Sequence, residues 1–312
     1  MAADDKDLAP LRARIDSIDQ QLLELLAARA EAAQAVGKIK HDVNAPVFRP
    51  ERERQVIDGL IAKNKSPLAA DGITYIWREI MSACRALEAP IRVAYLGPAG
   101  TFSEQAAFAQ FGQSISKVPC SSIDEVFRAV DAGSADFGVA PVENSSEGAI
   151  SRTLDLLLDT DLKITGEVAL AIKHHLLTKS GTLDGVSRVL AHPQALAQCQ
   201  RWLSNNAPKL DRQAVSSNGE AAKLAAQDST VAAIAGDSAQ QQYGLQAVQS
   251  QIQDDPHNRT RFVVVSHGSC QASGKDQTSV ILSVNNKPGA VHQLLAPLAK
   301  HGVSMNRLES RP

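Results

Sequence analysis

The stretch Asp136–Ile150, DFGVAPVENSSEGAI, runs from an apolar segment straight into a cluster of polar side chains. Residues Phe137 to Val142 are mostly apolar, as expected of a strand covered on both faces, and Glu143, Asn144, Ser145 and Ser146 stand at its end. In α/β sheets, ligand clefts open beyond such strand ends. A second polar cluster, Asn258-Arg259-Thr260-Arg261, opens the apolar run Phe262 to Val265. Two strand ends of this kind can present hydroxyls and amides to one cavity. Either cluster alone is ordinary turn chemistry. With the glycine loop Gly97–Ser103, GPAGTFS, they favour a site.

Composition narrows the function. The chain has 312 residues, 44% of them hydrophobic, which suits two or three domains with cores of their own. A formal charge of -2 and 4% aromatic residues supply neither the basic footprint nor the stacking surfaces of a nucleic-acid binder, so a small-molecule partner is expected. Cys84, Cys120, Cys199 and Cys270 are scattered and make no CxxC pair, which fits reduced thiols in a cytoplasmic protein. The opening MAADDKDLAP is acidic and lacks the apolar core of a secretory signal. No run of about 18 apolar residues suggests a membrane span. His174-His175 has no further ligands at metal spacing and reads as structural, so no metal is expected.

The chain divides into segments near Ala89-Pro90. Before that point the pattern is helical throughout. Leu11, Ile15, Ile18, Leu22 and Leu25 form a seam at spacings of four and three that continues through Ala32, Val36 and Ile39, predicting one long helix. Further helices are predicted over Arg52–Asn64 and Ile73–Glu88. A seam of this length is poorly covered by two short helices, so a homodimer or higher homo-oligomer is expected. From Ile91 to about His267 strand-like and helical runs alternate: strands at 91–96, 186–191, 231–235 and 262–265, helices at 103–111, 122–130, 195–203 and 220–226. The alternation predicts largely parallel sheets arranged as two lobes around a cleft. After a polar linker, Thr278–Val284 and Val303–Leu308 read as strands flanking a helix over Val291–Leu298, a short βαβ-like tail with an uncovered edge.

Arg29 interrupts the long seam where spacing from Ile15 and Leu22 calls for an apolar side chain, and a half-buried cation needs an anion. Lys40 lies about 20° around the helix from Arg29 and roughly 16 Å along it, so the two share a face. Arg12 is roughly 25 Å from Arg29 and turned by about 100°, too far to meet the same ligand from one straight helix. Without a ligand these are snorkelling surface cations.

The motifs together resemble the bifunctional chorismate mutase/prephenate dehydratases of phenylalanine biosynthesis. LRARIDSID, Arg29, VGKIK and RERE are similar to the all-α three-helix mutase domain, 1–90. GPAGTFS, PVENSSEGAI (Pro141–Ile150), AHPQAL (Ala191–Leu196) and TRF (Thr260–Phe262) resemble the α/β two-lobed, periplasmic-binding-protein-like dehydratase domain, 91–268. KPGAV (Lys287–Val291) and ESRP (Glu309–Pro312) resemble part of an α+β ACT regulatory domain, 276–312. The resemblance implies a multi-domain enzyme without cofactors that acts on chorismate and prephenate. By the same resemblance, Arg12 from the other subunit, Arg29 and Arg52 would hold the two carboxylates, and Lys40 would donate to the ether oxygen. Glu53 would accept from the ring hydroxyl, and Glu88, one turn after Cys84, would be a further donor. An ionised Glu88 would repel the ether oxygen, so a protonated carboxyl is expected there. Arg49 stands where better-known members carry Asp. In the dehydratase segment Thr260 would be the central catalytic residue. Arg261 and Phe262 would shape the site, Asn144 and Ser145 orient the substrate, Thr101 and Ser103 cradle a carboxylate, and His192 and Gln194 line the cleft. Gly289, Ala290, Glu309, Ser310 and Arg311 would bind L-phenylalanine, with weak or absent inhibition expected. Competing readings from the residues are a solute-binding protein and a non-catalytic regulatory protein of the same fold; intact Thr260, Asn144, Arg29 and Lys40 argue against the second.

Overall fold

The computed structural model describes residues 4–42, 48–146, 148–274 and 276–310. Three helices come first, α1 (Asp4–Asp42), α2 (Pro50–Lys63) and α3 (Ala70–Ala86). Pro50 opens α2, where its missing N–H costs nothing, and Glu51 and Glu53 in the first turn complement the helix dipole. Ile57 of α2 and Ile73, Met81 and Cys84 of α3 are buried. The α1 seam is not covered within the chain: Leu11 and Ile15 are each 56% exposed and Leu22 50%.

The first lobe contains β1 (Arg92–Leu96), α4 (Phe102–Phe111), β2 (Ser116–Cys120), α5 (Ile123–Asp131), β3 (Phe137–Asn144), β4 (Gly148–Ala149), α6 (Ser151–Asp159) and β5 (Lys163–Ala171). The chain then crosses to the second lobe. That lobe holds β6 (His175–Thr178), β7 (Arg188–Ala191), α7 (Pro193–Gln198), α8 (Gln200–Asn206), β8 (Asp211–Ala214), α9 (Asn218–Gln227), β9 (Val231–Ala235), α10 (Asp237–Tyr243) and β10 (Gln246–Gln249). Finally β11 (Arg259–Ser266) returns to the first sheet. Strand orders are β2-β1-β3-β11-β5, with β4 on β3, and β10-β6-β9-β7-β8.

The sheets are mixed rather than largely parallel. Pairs joined by crossover helices, β1 with β2 and β3, and β7 with β8 and β9, are parallel. Where the chain passes between lobes the strands run the other way: β11 is antiparallel to β3 and β5, and β6 to β9 and β10. In the first sheet, Val93, Tyr95, Val139, Phe262 and Val264 pack on one face while Ala94, Ala140, Val263 and Val265 pack on the other. Alternate residues of one strand thus serve two cores, which is why β3 and β11 are apolar without a break.

Residues from Gly274 onward form a separate compact unit. Its helix α11 (Ala290–Lys300) starts at Gly289, whose φ of 80° is open to glycine, and agrees with the expected helix. The strands expected at 278–284 and 303–308 are not formed. Val280, Ile281, Leu282, Val303 and Leu308 are exposed and belong to no strand ladder among the described residues. A strand exists through its ladder, and in a split βαβ arrangement the two parallel strands are not neighbours, so neither supplies the other's partner.

His174 carries a stability prediction. It is 2% exposed, its Nε2 lies 2.9 Å from Gln198 Oε1, and its Nδ1 is buried without a hydrogen-bond partner among the described residues. Burial depresses its pKa to about 4. Between the ordinary value near 6.5 and that folded value, the unfolded chain takes up a proton that the folded chain excludes, so stability is lost as pH falls through this window. At its lower end the loss is about 3 kcal/mol. His175, also lowered by burial, adds in the same direction. The melting temperature is expected to fall from pH 6.5 to 4, and more gently for His174→Gln; identical slopes would remove His174 as the cause.

Candidate active sites

The two polar strand ends meet side by side. Thr260 of β11 stands opposite Asn144 of β3, and Asn144 Nδ2 donates to Thr260 Oγ1 at 2.9 Å. The amide's orientation is fixed independently, because Asn144 Oδ1 accepts from the Ser146 N–H at 2.9 Å. A threonine hydroxyl has one proton and two acceptor sites. With one acceptor site filled by Asn144, the proton is left to point elsewhere and its oxygen is polarised. Both side chains are buried, Thr260 to 8% exposure.

Neighbouring residues hold this pair. Ser145 Oγ accepts from the Arg259 N–H at 2.9 Å and donates to Asn258 Oδ1 at 3.2 Å, so its hydroxyl ties the strand ends together. Arg261 is gripped by two carboxylates, Glu143 at 2.6 Å and Glu167 through a fork of 2.8 and 2.7 Å. Phe262 is 2% exposed and packs with Tyr95 and Val139, which places it in the core beneath Thr260 rather than in the cleft.

The glycine loop is arranged differently from a simple anion cradle. Thr101 caps α4, accepting from the Glu104 N–H and donating to the Leu96 carbonyl at 2.8 Å. The Gly100 N–H is taken by Glu104 Oε2 at 2.6 Å. Glu104, 1% exposed, also accepts from Tyr95 at 2.9 Å, Lys117 at 3.2 Å and Ser238 of the second lobe at 3.3 Å. This acid escaped notice in the sequence, although Thr101-x-x-Glu104 is a capping-box pattern that marks it. Ser103 is buried in the same first turn. On the second lobe, His192 caps α7, with its Nδ1 accepting from the Gln194 N–H at 3.3 Å, and Gln194 is half-buried beside it.

In the helical segment, Lys40 Nζ and Glu88 Oε2 are 3.9 Å apart, an ion-pair distance too long for a hydrogen bond. Glu88 Oε2 is buried without a hydrogen-bond partner among the described residues. Gly37 makes this approach possible: a Cβ there would lie 2.5 Å from Glu88 Cγ. Glu53 pairs with Arg85, and Arg29 is near enough to favour its ionised form. Burial outweighs these cations and pushes the Glu53 carboxyl up. Cys84 is buried on α3, Arg29 is half-buried, and Arg12 and Arg52 are exposed. Arg85 was missed; by spacing alone nothing separates it from a solvent-facing cation. Arg49 is turned to Glu51 at 2.8 Å.

In the C-terminal unit, a hollow of about 420 Å³ is lined by residues including Ser283, Asn285, Lys287, Ala290 and Gln293. Of the expected phenylalanine-binding residues, Gly289 and Ala290 lie at the start of α11, Glu309 and Ser310 are exposed, and Arg311 lies outside the described residues. Among the described residues no helix is long and apolar enough to cross a membrane, and no group of three metal-ligating side chains converges.

Comparison with known proteins bears on both sites. Residues 11–89 match the family chorismate mutase type II, and residues 93–270 match prephenate dehydratase. A bifunctional chorismate mutase/prephenate dehydratase of Pseudomonas aeruginosa is 48% identical over 99% of this chain and 87% of its own length. Among solved structures, prephenate dehydratase from Arthrobacter aurescens in complex with L-Phe is similar at 29% identity and a TM-score of 0.60, covering 71% of this chain and 76% of that one. A quorum-quenching acylase, GqqA, is similar at 28% identity and a TM-score of 0.60, covering 71% of this chain and 81% of its own.

Proposed function

Because the chain belongs to the bifunctional chorismate mutase/prephenate dehydratase family, we propose how its own residues divide the two reactions. The protein is an enzyme that rearranges chorismate to prephenate and converts prephenate to phenylpyruvate in phenylalanine biosynthesis. We assign 1–90 to the mutase, 91–268 to the dehydratase and 276–312 to a partial ACT domain.

The rearrangement is pericyclic, so no nucleophile is required; the site selects a compact conformer and stabilises charge developing at the ether oxygen. Arg29 and Arg52 hold the two carboxylates with Arg12 of a second subunit, because guanidinium forks match carboxylates. Lys40 and Glu88 flank the ether oxygen, and the 3.9 Å between them supports this reading, since neither saturates the other. Glu53 accepts from the ring hydroxyl, and Cys84 packs beneath the ring. The exposed α1 seam supports a homodimer in which Arg12 crosses over.

In the dehydratase the ring hydroxyl leaves as water while the carboxylate leaves as carbon dioxide, and the electrons of the broken C–C bond aromatise the ring. The observation that supports this assignment is the 2.9 Å bond from Asn144 to Thr260, which occupies an acceptor site of the hydroxyl and leaves its proton for another acceptor, in this reading the departing oxygen. Gln194 and Ser103 bind the rest of the substrate, while Thr101, whose proton goes to the Leu96 carbonyl, shapes the loop beside them; Ser145, Arg261 and Phe262 hold the strand ends in register. Phenylalanine is a ligand of the C-terminal unit, a reading favoured by the hollow beside Ala290. Inhibition by it is weak, because the flanking segments form no ladder. The four free thiols fit a cytoplasmic location.

End-point product analysis from chorismate, with and without added phenylalanine, tests the assignment. Prephenate is expected transiently, phenylpyruvate as the end product, and little change with phenylalanine. Accumulation of prephenate alone would remove the dehydratase; no loss of chorismate would favour a non-catalytic binding protein.

A further inference from the structure

One face of α3 reads the end of α4. At a spacing of three residues, Glu79 Oε2 accepts from the Gln113 N–H at 3.1 Å, Ser82 Oγ accepts from the Ser114 N–H at 3.1 Å, and Arg85 Nη2 donates to the Phe111 carbonyl at 2.5 Å. The helical segment is thereby docked on the backbone where α4 exits. The Phe111 carbonyl is at the negative end of the α4 dipole, a favourable place for a cation. Phe48 closes over the guanidinium, 4.9 Å from its ring centroid, and packs on Phe111 at 4.9 Å and Phe137 at 5.4 Å. Arg85 is 7% exposed, and its other arm holds Glu53.

We propose that Arg85 is a positioning residue that makes the mutase site depend on the dehydratase lobe, by fixing the Glu53 carboxylate from an anchor on the α4 C-terminus. The proposal rests on the reading of Glu53 as a mutase residue. A buried carboxylate loses its place and its charge together when its fork partner is removed. Glu53 faces Arg85 and Arg78 from α3 and Arg29 from α1, while Arg85 faces Glu79 and Glu88 as well as Glu53. Burial pushes the Glu53 carboxyl up and Arg85 is the largest influence holding it down. Gly112, at φ 77°, gives access from the lobe's side: a Cβ there would overlap Ser82 and lie 2.6 Å from its Oγ, wedging α3 from the α4 exit.

The test uses the full chain with mutase assayed from chorismate and dehydratase from prephenate. Arg85→Met is expected to lower mutase kcat/KM about ten- to a hundredfold, the effect of losing a charge-assisted hydrogen bond. It should also move the acid limb of the mutase profile to higher pH, because Glu53 then protonates more readily. Dehydratase kcat/KM should change less than about twofold, since Phe111 is at the end of α4 remote from Thr101, roughly 15 Å along the helix. Arg85→Lys restores the acid limb in part, as one ammonium cannot satisfy both partners. Gly112→Ala, a change within the dehydratase segment, should lower mutase activity in the same direction. An unmoved acid limb in Arg85→Met, wild-type mutase in Gly112→Ala, or parallel loss of dehydratase in Arg85→Met would each overturn the proposal. A Glu53→Gln chain with full mutase activity would instead sink the reading of Glu53 itself.

Discussion

Thr260→Ala is expected to lower dehydratase turnover by about 10²–10⁴-fold, the range for removing a positioned proton donor, and to leave mutase turnover unchanged. Without the hydroxyl, the departing ring oxygen leaves with hydroxide character into a site built of β-strand ends and a buried amide. Aromatisation still drives the reaction forward, so a slow residual rate is expected rather than none. Asn144 acts through the threonine: its Nδ2 occupies one acceptor site of Oγ1, and Ser146 prevents the amide from flipping. Thr260→Ser keeps a hydroxyl within reach of that amide and should retain activity to within about tenfold. Asn144→Asp is more revealing, because a carboxylate accepts from Oγ1 instead of donating to it and draws the proton away from the substrate. Its loss should match or exceed that of Asn144→Ala. If prephenate consumption by Thr260→Ala equals wild type, the cleft chemistry belongs to another group.

Much of this cleft was legible in the sequence because its strands are covered on two faces. β3 and β11 carry apolar runs that end abruptly in Asn144 and at Thr260, so both the strands and the side chains at their ends declare themselves. Edge strands do not. β8 is Asp211-Arg212-Gln213-Ala214, β2 begins Ser116-Lys117, and both pass for loop because one side of each lies outside the sheet. The long helix was legible from its seam, whereas Arg85 was not. Its role depends on a carbonyl contributed by Phe111, 26 residues later, and a backbone acceptor leaves no mark on composition. The C-terminal segments show the converse: Val280, Ile281 and Leu282 have the composition of a strand, yet strand formation is decided by a partner and not by propensity. Phe262 fell between these cases. It shares a face of β11 with Thr260, but it stands two residues farther along the strand, where its ring packs among Tyr95 and Val139, and only Thr260 at the strand end is proposed to act.

Lys40→Met should lower mutase kcat by about 10²–10³-fold, the scale of losing one preorganised donor to a developing oxyanion. Dehydratase turnover from supplied prephenate should be unaffected. Methionine preserves the length and packing of the side chain, so the loss reports charge and hydrogen bonding rather than a cavity. In a pericyclic step there is no nucleophile whose absence stops the chemistry; the clamp of Arg29 and Arg52 continues to favour the compact conformer, and kcat falls more than KM rises. Glu88, whose Oε2 is 3.9 Å from Lys40 and without a hydrogen-bond partner among the described residues, does not replace the lost positive charge, because a carboxyl group carries none. The same variant examines the crossover of Arg12. In a dimer whose sites each draw Arg12 from the other chain, Lys40→Met and Arg12→Ala subunits are separately inactive. Mixed and allowed to exchange, half of the dimers contain one intact site, and about a quarter of the wild-type mutase rate should return. No recovery on mixing, with exchange verified by mass, would show that Arg12 is not supplied by the other chain.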